Sequence, residues 1–355
     1  MLIKSLRTTI SLLKGTFIHS NYITMKMKTT AIITTLLLVA CSKESNISIE
    51  PPVSALDNQE VILSNELIPL NDLGTGRFKD SMGGLYPNGS NKPYGQYATD
   101  LYNTCAGIVP IDTFGKPSSK GKVVFISMGG STGGKNMTAL INKTKDNSKT
   151  NPALKLMNCN QPAQKAPLSS IASPGSAYWQ HVKSILALHK SSLRQVQVIY
   201  LETDDGVVTL KFPDRSNIMK GLIESSIRTM KKKMPNLKVV YVLGRTRTFS
   251  NTVTPWNTEP APYYFGWACK WAIQDQINNV PGTEYKGANT VAPMLAWGFY
   301  QWADSLPRVT DNFYWRYSET KDGLHANEAG QDTLSKRFQR FLLWDKRAKL
   351  WYAAQ

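Results

Sequence analysis

Lys122-Val-Val-Phe-Ile-Ser-Met-Gly-Gly-Ser131 decides the fold. Residues 122–127 form a short apolar run rich in β-branched side chains, bounded by Gly121 and by Met128-Gly129-Gly130, the pattern of a strand buried on both faces. Similar runs recur at Leu154–Met157, Val196–Leu201, Leu237–Leu243 and Val291–Trp297, giving five candidate parallel strands. Helical periods lie between them. Asp214 is the expected N-cap of a helix in which Ile218, Leu222, Ile223, Ile227, Met230 and Met234 recur at three-to-four spacing until Pro235. Tyr178–His189, Tyr263–Asn278 and Asn327–Leu343 read as further helices. Strands alternating with helices predict an α/β protein, a three-layer α/β/α sandwich around a parallel sheet, with no internal repeat and no second domain. Ligand sites in open sheets form beyond the carboxyl ends of the strands. The loops of interest therefore hold Ser131, Asn160–Gln164, Asp204-Asp205 and Gln301–His325.

With 355 residues, 41% of them hydrophobic and 19% charged, the chain can bury a large core and lacks the composition of a disordered protein. Its N-terminus reads as a processed segment. Met25-Lys-Met-Lys28 precedes the apolar run Ala31–Ala40, too short to span a bilayer, and Cys41 follows directly. Residues 1–40 are expected to be a signal peptide, with Met25 a candidate start. Leu38-Val39-Ala40-Cys41 resembles a bacterial lipobox, which implies fatty acylation of Cys41, of the palmitate kind, and attachment of the mature protein to a membrane. Ser42 is not the aspartate that favours retention at an inner membrane, so an outer-membrane or cell-surface address is expected. Residues 41–65, polar and containing Pro51-Pro52, read either as a tether or as an irregular first segment of the domain. Residues 66–120, rich in Gly, Pro, Asn, Tyr and Asp, read as a loop-rich opening segment, and 121–355 as the main domain.

The formal net charge is +17, and removing the five cations of residues 1–40 leaves +12. A basic surface suits anionic lipid, acidic polysaccharide or nucleic acid. The cations are scattered, Lys231-Lys232-Lys233 being the tight run, and no nucleic-acid motif accompanies them, so nucleic acid is not the expected partner. That lysine run is expected at the solvated end of a helix. Cys105, Cys159 and Cys269 have no metal-ligand spacing, so no metal is expected, and they allow either one disulfide or three free thiols.

Serine is a weak nucleophile that needs a base, and the base needs an acid to fix its tautomer. His19 falls in the leader, while His181 and His189 lie in a predicted helix. His325 sits in a polar loop three residues after Asp322, and Ser131 follows the first strand. These supply nucleophile, base and acid. Asp322-Gly-Leu-His325 alone is equally a helix-entry turn. Ser127 is the weaker alternative nucleophile because it should still lie within the strand.

Phe125-Ile-Ser-Met-Gly-Gly-Ser131-Thr132, with Asp322-Gly-Leu-His325 before a terminal helix, resembles the first and last signature blocks of the SGNH (GDSL-type) hydrolase superfamily. Leu295–Asp304 and Trp267–Gln276 are similar to a secreted bacterial subgroup in which Gly-Met-Ser replaces Gly-Asp-Ser. The resemblance spans residues 121–345. It implies a flavodoxin-like fold, an esterase, lipase or carbohydrate deacetylase activity, and no metal or organic cofactor. By motif, Ser131 is the nucleophile, His325 the general base and Asp322 its partner.

The same resemblance implies an oxyanion hole built from the backbone N–H of Ser131, a glycine N–H in the second block and an asparagine amide in the third. Here the second block reads Asn158-Cys-Asn-Gln-Pro162-Ala163-Gln164. If Pro162 holds the glycine position the donor is gone, because proline has no N–H; if Ala163 holds it, the donor survives. The third block reads Glu202-Thr203-Asp204-Asp205, so a protonated Asp204, Asp205, or instead Thr203, Asn160 or Gln161, would have to donate. Loss of one such donor costs about 10²–10³ in rate. Among the aromatic residues, Trp267 and Trp271 have helical spacing and read as core. Trp302, Trp315 and Tyr317 precede Asp322 in a long loop and are candidate substrate-stacking residues. The expected protein is an exported, lipid-anchored serine esterase acting on an O-acetylated glycan through an acyl-serine. The rivals are a degenerate member that binds glycan or a protein partner without turnover, and a structural surface lipoprotein.

Overall fold

In the computed structural model, residues 67–206, 210–250 and 257–354 are described. The expected signal peptide, Cys41 and the expected tether lie outside them. Every residue of the first strand, β1 (Val123–Gly129), is buried, as a continuous apolar run requires when helices cover both faces. Apart from a two-residue antiparallel pair at Arg77–Phe78 and Ser81–Met82, the other strands form one sheet with it: β2 (Leu154–Asn158), β3 (Val196–Glu202), β4 (Val239–Val242) and β5 (Met294–Trp297). In this sheet all neighbours are parallel and the order is β2-β1-β3-β4-β5. This is the flavodoxin-like arrangement, with its topological switch point between β1 and β3. The predicted sandwich is therefore the observed one.

After a single helical turn at Leu70–Leu73, the helices are α1 (Gly95–Ala106), α2 (Ser131–Lys145), α3 (Leu168–Ala172), α4 (Ala177–Leu188), α5 (Asp214–Lys233), α6 (Ala261–Ile277), α7 (Glu328–Trp344) and α8 (Lys349–Tyr352). α2 packs on α7, whereas α5 packs on both α3 and α6. Between the α7–α8 side and the sheet, the Phe125 ring stands edge-on to Phe338 and Trp351, with centroids 6.2 and 5.5 Å away. Edge-to-face pairs of this kind add to simple area burial.

Three sequence expectations need revision. Asp214 is the first helical residue of α5 and Pro213 occupies the N-cap, so Asp214 acts as a first-turn acid. The helix directly after Ser131 is hidden by Gly133-Gly134, poor helix formers whose cost tertiary packing offsets. The opening segment is not all loop: α1 buries Tyr97, Leu101 and Cys105, spaced four residues apart among polar neighbours. The segment also shares the main core, since the Trp297 indole N–H donates to Leu85 O at 2.7 Å. Lys231–Lys233 form the last turn of α5 as expected, and Lys231 Nζ donates to Pro235 O and Leu237 O. Cys105, Cys159 and Cys269 are buried free thiols, and burial pushes Cys105 and Cys159 up to about 12.

Candidate active site

The site begins where β1 ends. Gly129 closes the strand at φ +123°, Gly130 is the N-cap of α2, and Ser131 is its first residue. A Cβ on Gly129 would lie 2.1 Å from Glu202 O, so the chain can turn tightly over β3 only with glycine there. Gly130 N–H donates to Glu202 O at 2.9 Å and fastens the turn to β3. Ser131 consequently projects from the carboxyl edge of the sheet at the switch point. Ser127, by contrast, is fully buried within β1.

The second half of the site comes from the loop before α7. Asn327 caps that helix, its Oδ1 accepting from Gly330 N–H at 3.0 Å, while its Nδ2 donates to Ser318 O at 2.7 Å. Gly323, at φ +76°, lets the loop pass against Ser250, and Phe249 N–H donates to Gly323 O at 2.8 Å. The loop is thereby tied to the chain that leaves β4.

This framework brings Ser131, His325 and Asp322 together across the whole length of the domain. Ser131 Oγ lies 3.0 Å from His325 Nε2, and His325 Nδ1 lies 2.8 Å from Asp322 Oδ2. Asp322 Oδ1 also accepts the backbone N–H groups of His325 at 2.7 Å and Leu324 at 3.1 Å. Burial pushes the Asp322 carboxyl up, yet the His325 backbone N–H, the His325 ring and the Leu324 N–H outweigh it and hold it below its ordinary value. With Asp322 accepting at Nδ1, the imidazole presents an unprotonated Nε2 to the serine. His181 instead lies tilted against Tyr178 within α4, and His189 is exposed at that helix's end.

Donors for a developing oxyanion are arranged differently from the sequence expectation. Ser131 heads a fifteen-residue helix, whose first N–H groups have no intrahelical partner and whose dipole favours negative charge. Asn160 folds over the nucleophile turn, its Nδ2 donating to Gly130 O at 2.8 Å, and Gln161 N–H donates to Gly129 O at 3.0 Å. Pro162 lines the crevice beside Ser131, and Ala163 opens the 3-10 turn Ala163–Lys165.

Asp204 and Asp205 are not oxyanion donors. Asp204 accepts on both oxygens, from Arg215 at 3.0 Å, Arg245 at 3.2 Å, and the N–H groups of Asp205 and Gly206. Both guanidiniums are buried with it, which offsets the desolvation of its charge. Asp205 Oδ1 accepts Ser169 N–H at 2.6 Å in the first turn of α3. Thr203 donates its hydroxyl to Ala166 O at 2.7 Å. Arg215 and Arg245 were missed from sequence because nothing local marks a cation as the partner of an acid 11 or 41 residues away.

The aromatic candidates divide. Trp302 and Trp315 have no exposed surface, so neither can stack on a ligand. The Trp302 indole N–H donates to Glu259 Oε1 at 3.0 Å, and that of Trp315 to Arg247 O at 3.2 Å. Both are core residues whose loop position concealed their burial. Tyr317 is 42% exposed, with its ring edge-on to Phe249 at a centroid distance of 6.3 Å.

Beside Ser131 runs an open crevice of about 440 Å³, lined by Lys135, Thr138, Asn158, Asn160, Gln161 and Gln331 together with Gly134 and Pro162. It continues between α2 and α7 into a second concavity of about 320 Å³ that shares Thr138 and Gln331. Amides and hydroxyls punctuate a lining whose surface is mostly carbon. Gln331 comes from α7 and the rest from α2, the end of β2 or the loop after it, so sequence order gave no hint that they share a wall. Among the described residues no cluster of potential metal ligands is present, and no helix is long and apolar enough to cross a membrane.

No family model matches the chain, and no curated protein matches it. Among solved structures, it is similar to a protein of Bacteroides fragilis NCTC 9343 to which acylhydrolase activity is ascribed. Identity is 11%, the match covers 70% of this chain and 97% of that one, and the TM-score is 0.37. A second is the salicylyl-acyltransferase of a tetracycline biosynthetic pathway, at 11% identity and TM-score 0.34, covering 64% of this chain and 56% of that one. At these values the comparisons add nothing to the site.

Proposed function

We propose that this protein is a serine ester hydrolase of the SGNH type that removes acetyl groups from a carbohydrate. The observation that carries the reading is the Ser131–His325–Asp322 relay, with contacts of 3.0 and 2.8 Å. Ser131 Oγ attacks the ester carbonyl as His325 Nε2 takes its proton, and the tetrahedral oxyanion faces the first N–H groups of α2. Collapse expels the sugar oxygen, which receives that proton from His325, and leaves acetyl-Ser131. Water, deprotonated by His325, then releases acetate and restores the serine. A polar leaving group is supported by Thr138, Asn158, Asn160, Gln161 and Gln331, which offer hydrogen-bonding groups along the crevice. Export and attachment through acylated Cys41, at an outer membrane or cell surface, belong to the same reading and rest on the N-terminal sequence.

A second reading, a glycan binder without turnover, is favoured by one observation. Pro162 beside Ser131 has no N–H and Asp204 accepts from two arginines, so neither of these two positions offers a donor, which leaves the second-block donor to Ala163.

Intact-mass analysis after exposure to a fluorophosphonate separates the two, because trapping requires an activated serine but no knowledge of the substrate. A single adduct, absent in Ser131→Ala, with esterase activity lost and the thermal midpoint unchanged in that variant, is the expected result. An unlabelled wild-type protein would favour the binder.

A further inference from the structure

The outer face of α7 carries Lys336, Arg340 and Trp344 at four-residue intervals, all exposed and therefore aligned on one ridge. Trp344 is 72% exposed, so one face of its indole is open to a ligand. It stands between two adjoining concavities of about 670 and 460 Å³, both of which also include Phe341 and Asp345. Together they form a trough at the opposite end of α7 from His325, about 24 Å along the helix.

The walls of the trough are strongly cationic. Lys92, Lys336, Arg337, Arg340, Lys346 and Arg347 face only Asp311 and Asp345. Those two acids are already engaged: Arg308 Nε donates to Asp311 at 2.9 Å, and Arg347 Nε to Asp345 at 3.1 Å. Among the described residues, Lys92, Arg340 and Lys346 have no ion pair. A trough with uncompensated cations and a presented indole face is complementary to a chain that alternates negative charge with ring faces. Its concavity does not fit a flat bilayer surface.

We infer that this trough is a second binding site, for an acidic polysaccharide whose carboxylates meet Arg340, Lys346 and Lys92 while a pyranose ring stacks on Trp344. It lies apart from Ser131 and binds whether or not the serine turns over. A site of this kind would hold a polymer against the protein and raise its local concentration near the crevice.

The test is calorimetric titration of the full chain with polygalacturonate, alongside neutral dextran and phosphatidylglycerol vesicles. Polygalacturonate is expected to bind with an affinity that falls as salt rises, and dextran to show none. Trp344→Ala and Arg340→Ala should each weaken binding at least ten-fold. Both positions are exposed, so unchanged thermal midpoints should accompany the loss. Ser131→Ala should bind like the wild type, and hydrolysis of p-nitrophenyl acetate should be untouched by Trp344→Ala. Absence of polygalacturonate binding, or equal binding by the wild type and both trough variants, would overturn the inference. Vesicle binding that depends on Trp344 without polygalacturonate binding would overturn it in favour of a membrane contact.

Discussion

Asp322 carries two duties that one substitution separates. Its Oδ2 fixes the His325 tautomer at 2.8 Å, and its Oδ1 gathers two backbone N–H groups of the same loop. Asp322→Asn keeps the size but turns one oxygen into a donor, which favours the wrong imidazole tautomer. If hydrolysis occurs as proposed, kcat is expected to fall about 10³–10⁴-fold with little change in KM, as steady-state kinetics would measure. The same residue predicts a pH effect. Its folded value lies below the unfolded one, so its contribution is complete above the unfolded value and is lost as pH falls through the folded value. Thermal midpoints measured from pH 5 to pH 2 should therefore fall more steeply in the wild type than in Asp322→Asn, with a modest difference because the side chain is 45% exposed.

At the scale of elements, the β1–α2 turn determines whether Ser131 is presented at all. Gly129 combines a left-handed φ with a contact that any Cβ would make at 2.1 Å to the backbone of Glu202. Gly129→Ala is expected to cost about 2–3 kcal/mol in urea unfolding, with loss of fluorophosphonate labelling in the fraction that remains folded. A normal unfolding midpoint together with normal labelling would mean that the turn tolerates a side chain. The opposite wall of the site depends on α7, whose Asn327 cap and Gly330 seat the His325 loop, while the same helix supplies Gln331 to the crevice. One helix thus links the base, the crevice and the cationic trough at its far end.

For the whole molecule, the chain's last turn closes the core beneath the sheet. Trp351 is 1% exposed and meets Phe125 of β1 and Tyr241 of β4, at centroid distances of 5.5 and 6.2 Å. Trp351→Ala should lower unfolding free energy by about 3–5 kcal/mol, as chemical denaturation would read, while fluorophosphonate labelling of the folded protein persists. The parallel sheet and the three candidate relay residues were legible in the chain. Buried parallel strands are near-continuous apolar runs, Ser131 directly follows the first of them, and His325 stands in a polar loop three residues after Asp322 in a chain with few histidines. The sequence was silent where partners are distant and unmarked. Folding in three dimensions is what gives Asp204 to Arg215 and Arg245, buries Trp302 and Trp315, and joins side chains of α2, α7, β2 and the loop after β2 into one crevice. The physical reason is that local patterns report the period of burial along one element, whereas charge neutralisation, ring burial and crevice walls depend on which elements the fold brings side by side.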